Sequence, residues 1–475
     1  MKELVARLIT RILIIFNLPD VSGRELLHET RLMLNFALPI VLSQVGFMLL
    51  SSVDSAMIGS LGAPQLAGSA IGKAIFWPVS VFAMGIIYAT DAFTARAVGA
   101  GREEELLSIF PTCMRLTLIL SAIITPLLFL FARVLHILGM DPQITHYAGI
   151  YLSTVCWGLP FLLFATAMQR FWQCQKVTLP FLLILIPVNL LNYFANKVLI
   201  FGKFGLPALG VAGAAIATSC SRGFICGATI LISFYYFKRM KIVSGMRMFN
   251  FLNSDPALMR RLLRLGFPSG GQLSFEVFVF SMFTILAAWL TVTEAAAHHV
   301  VMLIISFCYM FPLGLANASS FRVGHLIGAG QMKQARLAGL GAILIGVVIM
   351  AISATTLLLF PETLFGLFID DQEVIKTASQ IVAFGAFFQI LDAIQGCTIG
   401  ALRGSGNTSY SFIASFIGYY PVALLSGSIF CFYFGWGLQG LWLGMCLGLL
   451  VICVLVVNFW INYKPSLVLT PSRAG

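Results

Sequence analysis

Twelve separate runs of apolar residues divide this chain, at about 34–59, 68–91, 112–134, 146–170, 179–201, 209–237, 263–290, 296–320, 336–361, 376–402, 410–434 and 437–463. Each is long enough to cross a hydrocarbon core of about 30 Å as a helix. Backbone in lipid must satisfy its own hydrogen bonds, and runs without strand alternation leave only the helix as a solution. A chain that is 59% hydrophobic and 10% charged, with 41 Phe, has too few polar residues to cover a soluble domain of this size. The expectation is an all-α polytopic membrane protein with twelve transmembrane helices.

Orientation follows from Lys and Arg. The termini and the even-numbered loops hold most of them, including the cluster Lys238, Arg239, Lys241, Arg247, Arg260, Arg261 and Arg264; the odd-numbered loops hold only Arg133, Lys203 and Lys376. Basic loops stay on the cytoplasmic side, so both termini are expected there, in an inner membrane. The net charge of +11 is thereby read as this bias and not as a nucleic-acid surface. Residues 1–19, with Lys2, Arg7 and Arg11 among apolar positions, suggest an amphipathic helix on the cytoplasmic face. All ten Cys fall in or beside apolar runs without a CxxC spacing, which argues against disulfide or metal frameworks.

The chain also repeats itself. Pro39 and Pro268, the stretches VGAG (98–101) and IGAG (327–330), and Asp141 and Asp370 are each 229 residues apart. Thr178 and Thr408, and Gly210 and Gly440, are 230 apart. Six spans per copy is an even number, so both copies insert the same way up, as a parallel internal repeat of two six-helix lobes. The implied layout is a cytoplasmic segment at 1–33, an N-lobe at 34–237, a basic linker at 238–262, a C-lobe at 263–463 and a tail at 464–475. Such halves are expected to enclose a cavity open to one side at a time, with in-span prolines 39, 160, 187, 268, 312 and 421 as candidate hinges.

Three acids lie deep within spans: Asp54, Glu276 and Asp392. An ionised Asp at a helix centre costs roughly 2.5–3.5 kcal/mol to insert, so these groups should face protein or water. Gln389, Asp392 and Gln395 form one polar stripe at spacing three, and Ser269, Gln272 and Glu276 form another at spacing three and four. Counted from the cytoplasmic ends of their spans, Glu276 and Asp392 differ in depth by about one helical turn, so they can share a cavity. Two carboxylates in one low-dielectric site cannot both stay charged without a bound proton or cation, which makes the pair a candidate site for H⁺ or Na⁺. In the first half Asp54 is level with Asn196, the last of the stripe Asn189, Asn192 and Asn196; packing contact and second ion site stand equally. Of the cations within spans, Lys73 and Lys197 lie near span ends where snorkelling explains them, whereas Arg222 is mid-span and needs a partner. Asp91 is placed at a helix end.

Taken together, LPIVLSQVGFMLLSSVDSAMIGSLGA, PVNLLNYFANKVLIFGKFGLPALGVAGAAIAT, Glu276, AAHHVVMLIISFCYMFPLGLANASSFRVGHLIGAG and LDAIQGCTIGALRGSGNT resemble the multidrug and toxic compound extrusion (MATE) family, more its NorM-like branch than its DinF-like one. The resemblance covers about 34–463. It implies a monomeric exporter of small, cationic, amphipathic organic compounds, coupled to Na⁺ or H⁺, with no enzymatic activity and no other cofactor. It places the cation site on Glu276 and Asp392 and a first-lobe acid at Asp54. His299 stands beside His298 where NorM-like members commonly have Gln; imidazoles there either favour proton coupling or, at the outer mouth of span 8, have no role, and the two readings stand equally. Span 5 carries Asn where DinF-like members carry an acid, which favours the second-lobe pair. A lipid-linked precursor flippase ordinarily has about fourteen spans and a more cationic cavity, and an embedded enzyme would need a catalytic motif such as HExxH or GxSxG, which is missing.

Overall fold

The computed structural model describes residues 21–138, 141–239 and 255–463, with Arg11, Ile14, Phe16, Leu18 and Pro19 before them. The expected amphipathic helix at 1–19, most of the basic linker and the 464–475 tail lie largely outside the described residues.

Among the described residues twelve helices are long and apolar enough to cross a membrane: α1 Gly23–Gly59, α2 Ala63–Gly99, α3 Leu106–Arg133, α4 Pro142–Cys174, α5 Leu179–Phe201, α6 Gly210–Tyr235, α7 Pro256–Ala288, α8 Val292–Gly328, α9 Met332–Leu359, α10 Val382–Gly404, α11 Ser409–Tyr433 and α12 Gly437–Asn462. There is no strand among the described residues. The helices match the expected runs in number and order, but several, α1, α2, α7 and α8 most, extend beyond them, and α10 starts at Val382 and not near 376 because Gln372–Gln380 forms a separate short helix.

The inside-out pattern of a membrane helix is clear on α5. Leu183, Ile186, Leu190 and Phe194 recur at spacing three and four and are exposed, while Ile184, Val188, Asn192 and Asn196 on the opposite face are buried. Polar residues face inward here because the outward face is matched to hydrocarbon.

Two helices are irregular at prolines. α4 is interrupted by a 3-10 turn at Cys156–Gly158, just before Pro160. α11 widens into π-helical turns at Gly418–Leu424, containing Pro421, and again at Ile429–Tyr433. Asp141 caps α4 by accepting from the backbone N–H groups of Gln143 and Ile144. Its counterpart in the second half is not Asp370 but Asp371, which accepts from Glu373 and Val374. The one-residue shift corrects the alignment of the repeats here.

The chain packs as two compact units, Met1–Gln44 with Asp91–Gly101 and Phe275–Gly475, and Val45–Thr90 with Arg102–Ser274. Their limits fall inside α1, α2 and α7, and glycine-mediated approaches explain why. In the first unit the start of α1 lies against α8, where a Cβ on Gly314 would stand 2.6 Å from the Cα of Val41. In the second unit the start of α7 lies against α2, where a Cβ on Gly85 would stand 2.5 Å from the Cα of Gly270. Gly85 and Gly314, and Val41 and Gly270, are each 229 residues apart, so the two approaches are copies of one another. Leu18, Val21 and Leu26 pack on Leu337 and Leu340 of α9, and Glu29 is paired with Arg322 at 3.0 Å, which anchors the start of α1 in the first unit.

Candidate functional site

In the first unit α7, α8, α10 and α11 bring their polar side chains inward. Glu276 of α7 accepts a hydrogen bond from the Tyr309 hydroxyl of α8 at 2.8 Å. Asp392 of α10 lies within reach of the charge of Glu276, and Tyr309 and Tyr419 feel both acids. The pair inferred from helical depth is therefore brought together. Both acids are buried, as are Gln389 and Gln395.

The stripe on α10 does not bond to itself. Gln389 accepts from Ser353 Oγ at 2.7 Å, and Gln395 donates to the Tyr419 hydroxyl at 2.9 Å. That leaves Asp392 Oδ1 and Gln395 Oε1, a carboxylate and an amide oxygen one helical turn apart, buried without a protein donor. Such oxygens are what a proton or a hard cation takes. Among the described residues no three of His, Cys, Asp and Glu cluster as a metal site, and all ten cysteines are free thiols. The donor set is thus one of oxygens. Gln272 is buried on α7, in the part of that helix that belongs to the second unit.

His298 is buried, not at an open mouth: its ring lies edge-on to Trp442 at 5.7 Å and its Nε2 is 3.4 Å from Thr284 Oγ1, while His299 points outward and is exposed. Trp442 in turn meets Phe388, and Phe280 meets Phe388 and Tyr419, so an aromatic wall adjoins the acids. Asp91 is fully buried in the first unit, with Ser320 Oγ 3.4 Å from its Oδ2, which corrects its reading as a simple helix-end residue.

The second unit holds the other cluster. Asp54 of α1 accepts from Asn196 Nδ2 of α5 and from Thr218 Oγ1 of α6. Asn196 also donates to Asn192 Oδ1 at 3.2 Å, and Asn189 donates to the Gly46 carbonyl at 3.2 Å, so the whole asparagine stripe docks on α1. Lys73 does not snorkel: its ammonium donates to Ser55 Oγ at 2.6 Å, within reach of the Asp54 charge. Arg222 lies with its guanidinium 4.8 Å from the Phe76 ring centre and within reach of Asp54 and Tyr151.

A family model described as MatE matches residues 39–198 and 268–429, one copy per half. The chain belongs to the MatE family. This MatE chain is 32% identical over 445 residues to a probable multidrug resistance protein NorM of Mesorhizobium japonicum, covering 92% of the chain and 94% of that protein. It is 30% identical to the multidrug resistance protein MdtK of Photorhabdus laumondii, over 93% of the chain and 98% of that protein. The crystal structure of a eukaryotic MATE transporter shares the fold, with a TM-score of 0.81 at 24% identity over 93% of this chain and 97% of that one.

Sequence reasoning missed four residues of the MatE chain's two clusters. Tyr309 and Tyr419 are hidden among many aromatics, and only packing distinguishes them. Thr218 has no mark in its GAAIATSC context beyond its depth, and Ser353 none beyond facing α10.

Proposed function

We propose that this chain is a secondary antiporter that exports amphipathic organic compounds, chiefly cations, in exchange for inward-moving Na⁺ or H⁺. As a MatE member it is a transporter and not an enzyme, and multidrug efflux is supported by the names of its NorM and MdtK relatives. The observation that carries the coupling is Asp392, buried beside Glu276 with Oδ1 lacking a protein donor.

In this reading a proton or Na⁺ binds at Glu276 and Asp392 from outside and displaces the organic cation, because both compete for the same negative charge. The lobes then exchange access, the ion leaves on the inside, and a new cation is drawn to the freed carboxylates. Each net charge moved inward contributes about 2.3 kcal/mol per 100 mV, whereas one-for-one exchange with a monovalent cation moves none and is driven by the ion gradient alone. The chain works as a monomer in an inner membrane with both termini cytoplasmic, a placement supported by its Lys and Arg distribution.

The test is ethidium efflux from proteoliposomes under an imposed Na⁺ gradient and, separately, an imposed pH gradient. Asp392→Asn and Glu276→Gln are expected to abolish transport while leaving the unfolding midpoint near that of the wild type. The gradient that drives the wild type identifies the ion. Near-normal transport by Asp392→Asn would sink the assignment.

A further inference from the structure

The Asp54 cluster sets two basic side chains, Lys73 and Arg222, against one acid. Lys73 and Arg222 act on one another and on Asp54, the one carboxylate among the described residues that reaches either. Asp54 is already engaged by Asn196, Thr218 and Asn192. Arg222 is 8% exposed, and its Nη1 has no acceptor. A guanidinium N–H is thus left as a donor in this interior, against the face of Phe76 and close to Lys73. The aromatic face attracts the cation as a whole but accepts nothing in the plane of the guanidinium, where its N–H groups point. A buried guanidinium donor without an acceptor, in a cluster of two basic side chains and one acid, calls for an anion.

We propose that this cluster in the second unit is an anion-binding site, with Arg222 as its principal ligand. It takes a single negative charge, either the carboxylate of a transported zwitterion or free chloride. Guanidinium suits a carboxylate because its N–H groups form a fork that matches two oxygens. Asp54 opposes the anion and limits how tightly it is held. The carboxylate form of the proposal rests on the export reading above and extends it to cargo that carries an acid as well as an amine.

Rhodamine 110, with a free carboxylate, and its methyl ester rhodamine 123 are a matched pair of probes. Their binding to the purified full-length protein is measured by fluorescence polarisation in gluconate and in chloride buffer. For a carboxylate site, Arg222→Gln weakens rhodamine 110 by about tenfold or more while rhodamine 123 moves less than about twofold. Asp54→Asn, which removes the opposing charge, tightens rhodamine 110. For chloride, replacing gluconate raises the unfolding midpoint of the wild type and of Asp54→Asn but not of Arg222→Gln. Arg222→Lys keeps the charge and must keep the preference of the wild type, which guards against a glutamine variant that does not fold. Equal loss of both dyes, or indifference of both dyes and of the unfolding midpoint, overturns the proposal. Export of rhodamine 123 from proteoliposomes tests the export reading by itself, since that dye carries no carboxylate.

Discussion

Tyr309 and Tyr419 both stand near Glu276 and Asp392, yet their hydroxyls are used in opposite ways. Tyr309 donates a hydrogen bond to a carboxylate, whereas Tyr419 accepts one from the Gln395 amide. A hydrogen bond to a charged group contributes about 1.5–3 kcal/mol, against about 1 kcal/mol for a neutral pair. Tyr309→Phe is therefore expected to reduce ion-driven ethidium efflux by about tenfold, and Tyr419→Phe by less. Equal losses in the two variants would mean that the contact with Glu276 is not special. The acids themselves were legible beforehand, because a carboxylate in an apolar run is costly wherever it is found. Their phenolic partners were not, because tyrosine is at home in a membrane helix whether or not its hydroxyl is used.

The contact between α8 and α10 depends on small residues at spacing four. A Cβ on Gly400 would run into the Ala316 carbonyl, and one on Gly404 into the Ser320 carbonyl, whereas one on Gly396, a turn earlier, would meet nothing within 4 Å. Close approach of this kind brings the Asp392 stripe against α8. Gly404→Ala should cost about 1–3 kcal/mol of stability through overpacking, and Gly396→Ala should be neutral or slightly stabilising. Thermal unfolding in detergent measures both; a silent Gly404→Ala would show that the helices part without cost. Glycine also ends α2 and α8 alike: Gly101 and Gly330 have φ of 68° and 74°, the left-handed conformation that follows a helix end and that other residues adopt only with strain. The VGAG and IGAG stretches are thus two copies of one stop signal. The π-helical turns of α11 were not legible, since Pro421 marks a bend without saying that the turn around it widens to carry Tyr419.

The orientation of the complete chain is open to a direct check. A cysteine introduced at Lys203, exposed between α5 and α6, is expected to react with an impermeant maleimide on intact cells, and one at Arg247 only after permeabilisation. Labelling in the reverse pattern would overturn the placement of both termini. The 229-residue repeat accounts for the two matching glycine approaches once they are seen, but it did not show that the start of each half would pack with helices of the other.

Twelve helices, the internal repeat, the family and three deep acids can all be read from the residues alone, because a bilayer demands long apolar runs and penalises each buried charge enough to make it conspicuous. What those charges meet is set by packing: Tyr309 on Glu276, Thr218 and Asn196 on Asp54, Phe76 beneath Arg222, and Lys73 turned inward to Ser55. Those partners come from helices far apart in the chain. Which residues meet is set by the rotation and close approach of packed helices, and no local pattern of residues encodes that.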